Sequence, residues 1–414
     1  MNYVIIGNSI AGIGCIEGIR AKDPTGSIAL VGEEPYPVYS RPLISYLLLG
    51  RVDEEHMHYR PKTFYQDNDV KTYFGRRAES VDAAKKAVVL DDGTCLPYDK
   101  LLLAAGSRPF VPPMAGLDSV KNKFTFMNLD SAKALEKALT PQSRVLIIGA
   151  GLIGLKCAEG IAARVAEINV VDMADRVLPS ILDETGSAVM QKHLEKHKMH
   201  FFLSDSVARF ADGMATLKSG KTLAYDIVVV AVGVRPNTQL AEQAGCKVER
   251  GICTNVSCET TVPGIYAAGD CAKSHDITSG TDRVLALLPN AHMQGMAAGT
   301  NMAGGSEYYD KAIPMNSIGF FGLHIITAGS YDGEVYLSQK DGAYKKLFTK
   351  DNRLTGMILI GDIRRAGIYT SLIREQTPLD SVDFDLIKEK PQLMAFSKKD
   401  RKIKLAGAKQ EGDA

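Results

Sequence analysis

V-I-I-G-N-S-I-A-G-I-G-C-I-E-G-I, from Val4 to Ile19, recurs 142 positions later as L-I-I-G-A-G-L-I-G-L-K-C-A-E-G-I, from Leu146 to Ile161. Each copy reads as a buried strand, a glycine turn and the start of a helix. That arrangement aims backbone N–H groups and the positive end of a helix dipole at a pyrophosphate. One glycine-rich turn alone is weak evidence, because most such turns only reverse the chain. Here each fingerprint leads through a helical stretch into a second apolar strand that ends in acid. I-A-L-V-G-E supplies Glu33, with Glu34 as its alternative, and I-N-V-V-D supplies Asp172. A carboxylate roughly 20 residues past the glycines can accept both hydroxyls of an adenosine ribose. A chain with two such sites can hold two dinucleotides. The first copy departs from the pattern at its middle glycine, where Ser9 leaves less room.

A second duplication supports the first. Tyr98-Asp99 and then L-L-L-A-A-G-S-R-P, ending at Pro109, are echoed by Tyr225-Asp226 and V-V-V-A-V-G-V-R-P, ending at Pro236. A continuous apolar run that breaks at glycine is how a fully buried central parallel strand ends. Each run therefore closes one nucleotide-binding unit. From Ala312 onward the pattern changes to short alternating strands, G-E-V-Y-L-S and Y-K-K-L-F-T, with a helical segment near Tyr369. The expected fold class is α/β, with two doubly wound dinucleotide-binding domains and a C-terminal α+β domain.

At 414 residues and 45% hydrophobic content the chain can fill two or three cores. A net charge of +1 gives no steering toward nucleic acid or membrane. The first apolar run is short, lacks a basic lead and enters the glycine turn, so it reads as a core strand and not a signal peptide. No stretch has the length of a membrane span, and the expected location is cytoplasmic. The seven cysteines are scattered and odd in number, which suits free thiols in a reducing compartment. Cys15 and Cys157 read as small core residues, and Cys253 and Cys258 as structural members of an apparent strand pair. Cys271 follows Asp270 without a partner cysteine nearby. No spacing suggests a metal site.

The two fingerprints, the A-x-G-x-R-P strand ends and T-T-V-P-G-I-Y-A-A-G-D, Thr260 to Asp270, together resemble the FAD- and NAD(P)-dependent pyridine nucleotide–disulfide oxidoreductase superfamily. P-Y-P-V-Y-S-R-P-L-I-S, Pro35 to Ser45, is similar to the branch containing NADH:rubredoxin reductases, ferredoxin reductases and the flavin-binding part of NADH-dependent nitrite reductases. The resemblance covers about residues 1 to 390, and it is more specific for cofactors than for the electron acceptor.

The resemblance implies an FAD site and an NAD(H) site. Gly7, Ser9 and Gly12 would wrap the FAD pyrophosphate, with Glu33 or Glu34 on the ribose. Arg41 and Pro42 would lie against the pyrophosphate and flavin edge. Ala105 and Gly106 would allow close approach of a strand end, and Gly269 and Asp270 would meet the ribityl chain. The helix from Pro289 to Gly299 would aim its N-terminus at the flavin pyrimidine; His292 there either packs or transfers a proton. For the nicotinamide nucleotide, Gly149, Gly151 and Gly154 would hold the pyrophosphate, Asp172 the ribose, and Gly233 would give close approach. An acid at Asp172 favours NADH over NADPH, with Arg176 close enough to complicate that preference. Lys156 stands where the family usually shows glutamate beside the nicotinamide and flavin. As the candidate catalytic residue it either favours an anionic reduced flavin or turns to solvent.

The implied activity is that of an FAD-dependent NAD(P)H oxidoreductase. Electrons would pass between NADH and an iron–sulfur or rubredoxin-type protein or complex subunit, in either direction. The redox cysteine of the family's disulfide reductases is missing between Glu33 and Arg60, and the C-terminal third lacks their histidine–glutamate pair; His324 reads as a satisfied sheet residue. The alternatives are an NADH oxidase using oxygen species and a flavin-carrying interaction subunit. A homo-oligomer and a larger hetero-complex both remain open. The expected layout is an FAD domain from residues 1–112 and 251–311, an NAD domain from 113–250, an interface domain from 312–396 and a charged tail from 397–414. The tail has little to bury and is expected to be disordered. Its Lys398, Lys399, Arg401, Lys402 and Lys404 either attract an acidic partner or only solubilise the chain.

Overall fold

The computed structural model describes residues 1–340 and 342–406, the side chains of 403–406 excepted. It divides into two compact units, Met1–His275 with Asp282–Asp310, and Asp276–Thr281 with the chain from Lys311 onward. The first unit carries two five-stranded parallel sheets. In one, the strand order is Ile265–Ala267, Lys100–Leu103, Asn2–Ile6, Ser27–Gly32, Val70–Phe74; in the other it is Met199–Phe202, Glu167–Val171, Arg144–Ile148, Ile227–Val230, Lys123–Phe124. Each fingerprint strand is the middle strand of its sheet, which is why both read as unbroken apolar runs. Both sheets are accompanied by a three-stranded antiparallel sheet, Ala78–Asp82, Ala87–Leu90, Cys95–Pro97 in one half and Val207–Ala211, Met214–Leu217, Thr222–Ala224 in the other.

The duplication extends to single hydrogen bonds. Gly7 N–H donates to Val31 O and Gly149 N–H to Val171 O, both at 2.8 Å. At the far ends of the sheets, Asp99 accepts from the Asn2 amide at 2.7 Å and Asp226 from the Arg144 amide at 2.8 Å. The repeated Tyr-Asp pair therefore anchors the start of each fingerprint strand, away from its glycine turn. The two R-P segments then meet: Ser107–Pro109 and Val234–Pro236 form an antiparallel ribbon, with Arg235 opposite Arg108.

The fingerprint helix Ile10–Arg20 crosses Leu288–Met302 at a glycine-lined contact. A Cβ added at Gly14 or Gly18 would stand 2.5 Å from His292 O or 2.3 Å from Met296 O; at Gly295 or Gly299 it would stand 2.0 Å from Ala11 O or 2.1 Å from Cys15 O. Glycines spaced four apart on both helices thus let one backbone rest on the other.

The second unit is a five-stranded antiparallel sheet in the order Met315–Phe320, Leu323–Gly329, Arg353–Ile360, Ala343–Lys350, Glu334–Lys340. Helix Ala366–Arg374 closes its core with buried Tyr369, Leu372 and Ile373, and Tyr369 donates to Ile387 O at 2.9 Å. Two expectations fail. Residues Lys398–Ala406 are helical and not disordered, begun by Ser397, whose hydroxyl accepts from the Asp400 amide at 3.1 Å and donates to the Asp400 carboxylate at 2.6 Å. That S-K-K-D start is an N-cap signal that outweighs the low hydrophobicity. The Lys404 side chain and residues 407–414 lie outside the described residues. Cys253 and Cys258 lie outside any strand, in a segment held by isolated bridges such as Thr254 to Thr260. No described helix is long and apolar enough to cross a membrane.

Gly295→Ala is expected to destabilise the first unit by about 1–3 kcal/mol, because the methyl meets backbone that cannot swing aside. Gly367→Ala, at a helical position with nothing within 4 Å, is expected to be neutral or stabilising. Denaturant unfolding of both variants measures this contrast; equal effects would contradict the crossing.

Candidate functional site

The glycines of the fingerprints fall into two kinds. Gly7 and Gly149 have φ of +123° and +115°, and a Cβ on either would lie 2.0 Å from Ala104 O or 2.3 Å from Ala231 O. Gly12 and Gly154 would each meet the carbonyl of that first glycine at 2.1 Å. These four press on their own fold. Gly151, Gly106 and Gly233 instead have nothing within 4 Å of an added Cβ, and the latter two have φ of +63° and +114°. They present open backbone at the ends of parallel strands, where ligands of such sheets sit. Ser9 and Gly151 occupy the N-cap positions of helices Ile10–Arg20 and Leu152–Ile161, and neither helix has a side-chain cap. The leading N–H groups are thus left for an anion.

Around the first turn, Asn8 donates to Tyr36 O at 2.9 Å and accepts from the Tyr65 hydroxyl at 2.7 Å, tying the turn to the segment beginning at Pro35. That segment is held in place from below. Tyr39 donates to Glu34 at 2.5 Å and accepts from the Leu129 amide at 2.9 Å, and Arg41 pairs with Glu34 and donates to Met127 O at 3.3 Å. Glu34 is therefore committed to Arg41 and Tyr39. Glu33, one residue beyond the strand, is exposed and makes no hydrogen bond or ion pair among the described residues. Pro42 is the middle residue of the short turn Arg41–Leu43.

Gly269 turns with φ +79°, its amide donating 2.9 Å to buried Gln294 on the Leu288–Met302 helix. Asp270 beside it has, among the described residues, only a long bond from the Ser107 hydroxyl, at 3.4 Å, and desolvation pushes its carboxyl up from the ordinary range despite Ser107 and Arg41. A half-buried carboxyl so placed is suited to accept from a ligand hydroxyl. Asn237 braces the opposite strand end, donating 2.8 Å to Ala105 O and, through its backbone, 2.9 Å to Gly106 O. Cys271 is fully buried, its thiol pushed up to about 12 by burial.

In the second cradle, Asp172 accepts from the Ala150 amide at 2.6 Å and the Ala174 amide at 2.8 Å. Each oxygen keeps a further lone pair for a ribose hydroxyl. Arg176 pairs with Asp175 at 2.8 Å, while its Nε is buried without a partner among the described residues. Lys156 does not turn to solvent: it pairs with Glu159 and stands 4.6 Å from the Tyr46 ring centroid. His292 Nε2 lies 2.9 Å from Glu17, which also accepts from Arg60 Nε at 2.6 Å. His292 is thus tied to Glu17 on the first fingerprint helix. Sequence reading missed Asn8, Tyr65, Gln294 and Asn237; only Gln294 carried a signal, as a polar residue inside a glycine-rich apolar helix.

Uncapped helix ends, open glycine strand ends and a poorly satisfied, half-buried carboxyl fit two dinucleotides. The family model for pyridine nucleotide-disulphide oxidoreductases matches residues 1–295. The chain belongs to this family. It is a family of FAD- and NAD(H)-dependent reductases. Residues 314–377 match the model of the rubredoxin NAD+ reductase C-terminal domain. The chain is 30% identical over 390 residues to the NADH-dependent phenylglyoxylate dehydrogenase subunit epsilon of Aromatoleum evansii, covering 91% of this chain and 92% of that one. It is also 30% identical over 390 residues to the nitrite reductase [NAD(P)H] of Bacillus subtilis, covering 91% of this chain but only 47% of that protein, so it spans about half of that relative. The reductase in a covalent putidaredoxin reductase–putidaredoxin complex superposes with a TM-score of 0.85 at 25% identity, covering 99% of both chains.

Burial pulls the Glu17 carboxyl up, but hydrogen bonds and charge from Arg60 and His292 outweigh it and hold the group below its ordinary value. A lowered carboxyl contributes stability above its unfolded pKa of ~4.3, and that stability is lost as pH falls through its native value. Arg60→Met is therefore expected to lower the unfolding temperature near pH 7, with the deficit shrinking as pH falls below about 4. A deficit independent of pH would remove Glu17 from the account.

Proposed function

We propose that the chain is an FAD-dependent reductase that passes electrons between NADH and an iron–sulfur or rubredoxin-type protein. The observation that carries this reading is the state of the cysteines bordering the first cradle. Cys15 and Cys271 are fully buried and their thiols are pushed up by burial. Neither is a usable thiolate, so electrons have no thiol relay. When bound, FAD supplies the chemistry, exchanging a hydride with NADH and single electrons with a metal centre.

In this reading the protein positions and shields. Ser9 and the amides behind it receive the FAD pyrophosphate, Glu33 the ribose, and Asp270, held by the Gln294-braced turn, a ribityl hydroxyl. Arg41 and Pro42 border the pyrophosphate, and Ala105 and Gly106 give the flavin close backbone approach. Gly151 and its helix receive the NADH pyrophosphate, Asp172 the ribose, and Gly233 leaves room for the nicotinamide end. The FAD domain would comprise residues 1–112 and 251–311, the NAD domain 113–250 and the interface domain 312–396.

An acidic partner is favoured by the ribbon between the halves. Arg108 and Arg235 stand opposite each other, both exposed, and neither pairs with an acid among the described residues. Like charges directly opposite on a β-ribbon repel. This positive seam lies one residue from Ser107, which bonds Asp270. The near full-length match to a dehydrogenase subunit favours a second, compatible reading, that the chain is the NADH-reacting subunit of a larger complex.

Steady-state NADH oxidation with rubredoxin, ferredoxin or oxygen as sole acceptor tests the reading. An iron protein should be the fastest acceptor, and its rate should fall with added salt and in Arg108→Gln/Arg235→Gln. Turnover with oxygen or peroxide as fast as with the best iron protein would replace this reading with an NADH oxidase. NADH should also reduce the flavin faster than NADPH, with Asp172→Ala narrowing a gap of roughly 1–3 kcal/mol. Equal rates in the unmodified protein would contradict the role of Asp172.

A further inference from the structure

Lys156 and Gly160 lie one turn apart on the second fingerprint helix, and so on the same face. Both meet the short helix Ile44–Leu48 of the other half. Lys156 Nζ stands 4.6 Å from the Tyr46 ring centroid, and a Cβ on Gly160 would be 3.1 Å from Ser45 O and 3.2 Å from Leu48 Cβ. A third link lies at the helix end, where Arg164 donates 3.4 Å to Leu48 O and 2.6 Å to Glu136. The Ile44–Leu48 helix continues directly from the Arg41–Leu43 turn, to which the Ser45 hydroxyl is bonded through Pro42 O at 3.1 Å. One rigid connection therefore runs from the Gly149–Gly154 turn, along its helix, to the turn carrying Arg41 and Pro42.

The charge of Lys156 does not stand alone. Its ammonium pairs with Glu159, one turn along, and the two side chains are only 13% and 4% exposed. The pair carries no net charge, although His197 also feels the Glu159 carboxylate, and its burial requires both partners. An ammonium seated over an aromatic face and screened from water is attracted by the negative face of the ring.

We infer that Lys156 is a positioning residue: neutralised by Glu159 and seated on Tyr46, it sets the separation of the two dinucleotide turns and does not act as a charge on the flavin. The inference rests on the proposed assignment of FAD and NADH to the two cradles. A carboxylate at this position would face both Glu159 and the negative face of the Tyr46 ring.

Four variants test it: Lys156→Met, the double variant Lys156→Met/Glu159→Gln, Tyr46→Leu and Tyr46→Phe. In apoprotein stripped of FAD, Lys156→Met should lower the unfolding temperature more than the double variant, which leaves no buried carboxylate unpaired. In the FAD-loaded protein, the oxidised/reduced flavin equilibrium of the double variant should stay within about twofold of the unmodified protein, because a neutral pair has replaced a neutral pair. Flavin reduction at saturating NADH should slow about tenfold in Tyr46→Leu, where the junction loses its aromatic seat, and recover in Tyr46→Phe. A tenfold or larger shift of the flavin equilibrium in the double variant would show Lys156 acting as a charge and overturn the inference. So would an unchanged reduction rate in Tyr46→Leu. If the unmodified protein is not reduced by NADH at all, the proposed function fails instead; the apoprotein unfolding comparison still decides the junction.

Discussion

Backbone resting on backbone, at positions where no side chain fits, is the constraint on which the rest of this protein depends. At Gly7 and Gly149 a Cβ would overlap the carbonyl at the end of the neighbouring strand, and at Gly12 and Gly154 it would overlap the turn itself. These four positions let each fingerprint helix start directly above a strand end. Its N-terminal amides are then uncapped by protein and point at the space where a pyrophosphate belongs. The same constraint recurs where Ile10–Arg20 crosses Leu288–Met302 on four further glycines, bringing the Gly269–Asp270 turn beside the first cradle through Gln294.

The copies diverge on the outer faces of their helices. Glu17 and Glu159 occupy the same place in the repeat, five residues past the last fingerprint glycine. The first helix satisfies its acid with Arg60 and His292 from other segments, and the second with Lys156 from its own preceding turn. The neighbours differ accordingly: a long glycine-backed helix in one half, the short Ile44–Leu48 helix in the other. A duplicated nucleotide module has thus become an asymmetric pair, one fingerprint helix resting on a glycine-lined helix and the other meeting the short Ile44–Leu48 helix across the junction.

Much of this was legible in sequence because glycine spacing and buried parallel strands leave strong local patterns. The central strands, the acids Glu33 and Asp172 just beyond their partners, and the turn at Gly269 all lie where those patterns place them. Contacts between distant segments left little trace. Nothing in N-S-I-A announces that Asn8 bonds Tyr36 and Tyr65, and nothing near Asn237 announces its hold on Ala105. That Glu34 is committed to Arg41 and Tyr39 is visible only in the structure. The terminal helix leaves little trace because its composition is strongly polar and its local signal is the Ser397–Asp400 cap. Lys156 was visible as an anomaly, but its partner Tyr46 lies more than a hundred residues away in sequence, and burial, not local charge, decides its role.

The central claim is that one compact unit holds two different dinucleotides close enough to exchange a hydride. Anaerobic titration of the purified, FAD-loaded protein with NADH, followed by flavin absorbance, tests it most directly. The account predicts about one FAD per chain, bleached by about one equivalent of NADH. A folded protein that takes up no FAD, or whose bound flavin stays oxidised in excess NADH, would contradict it.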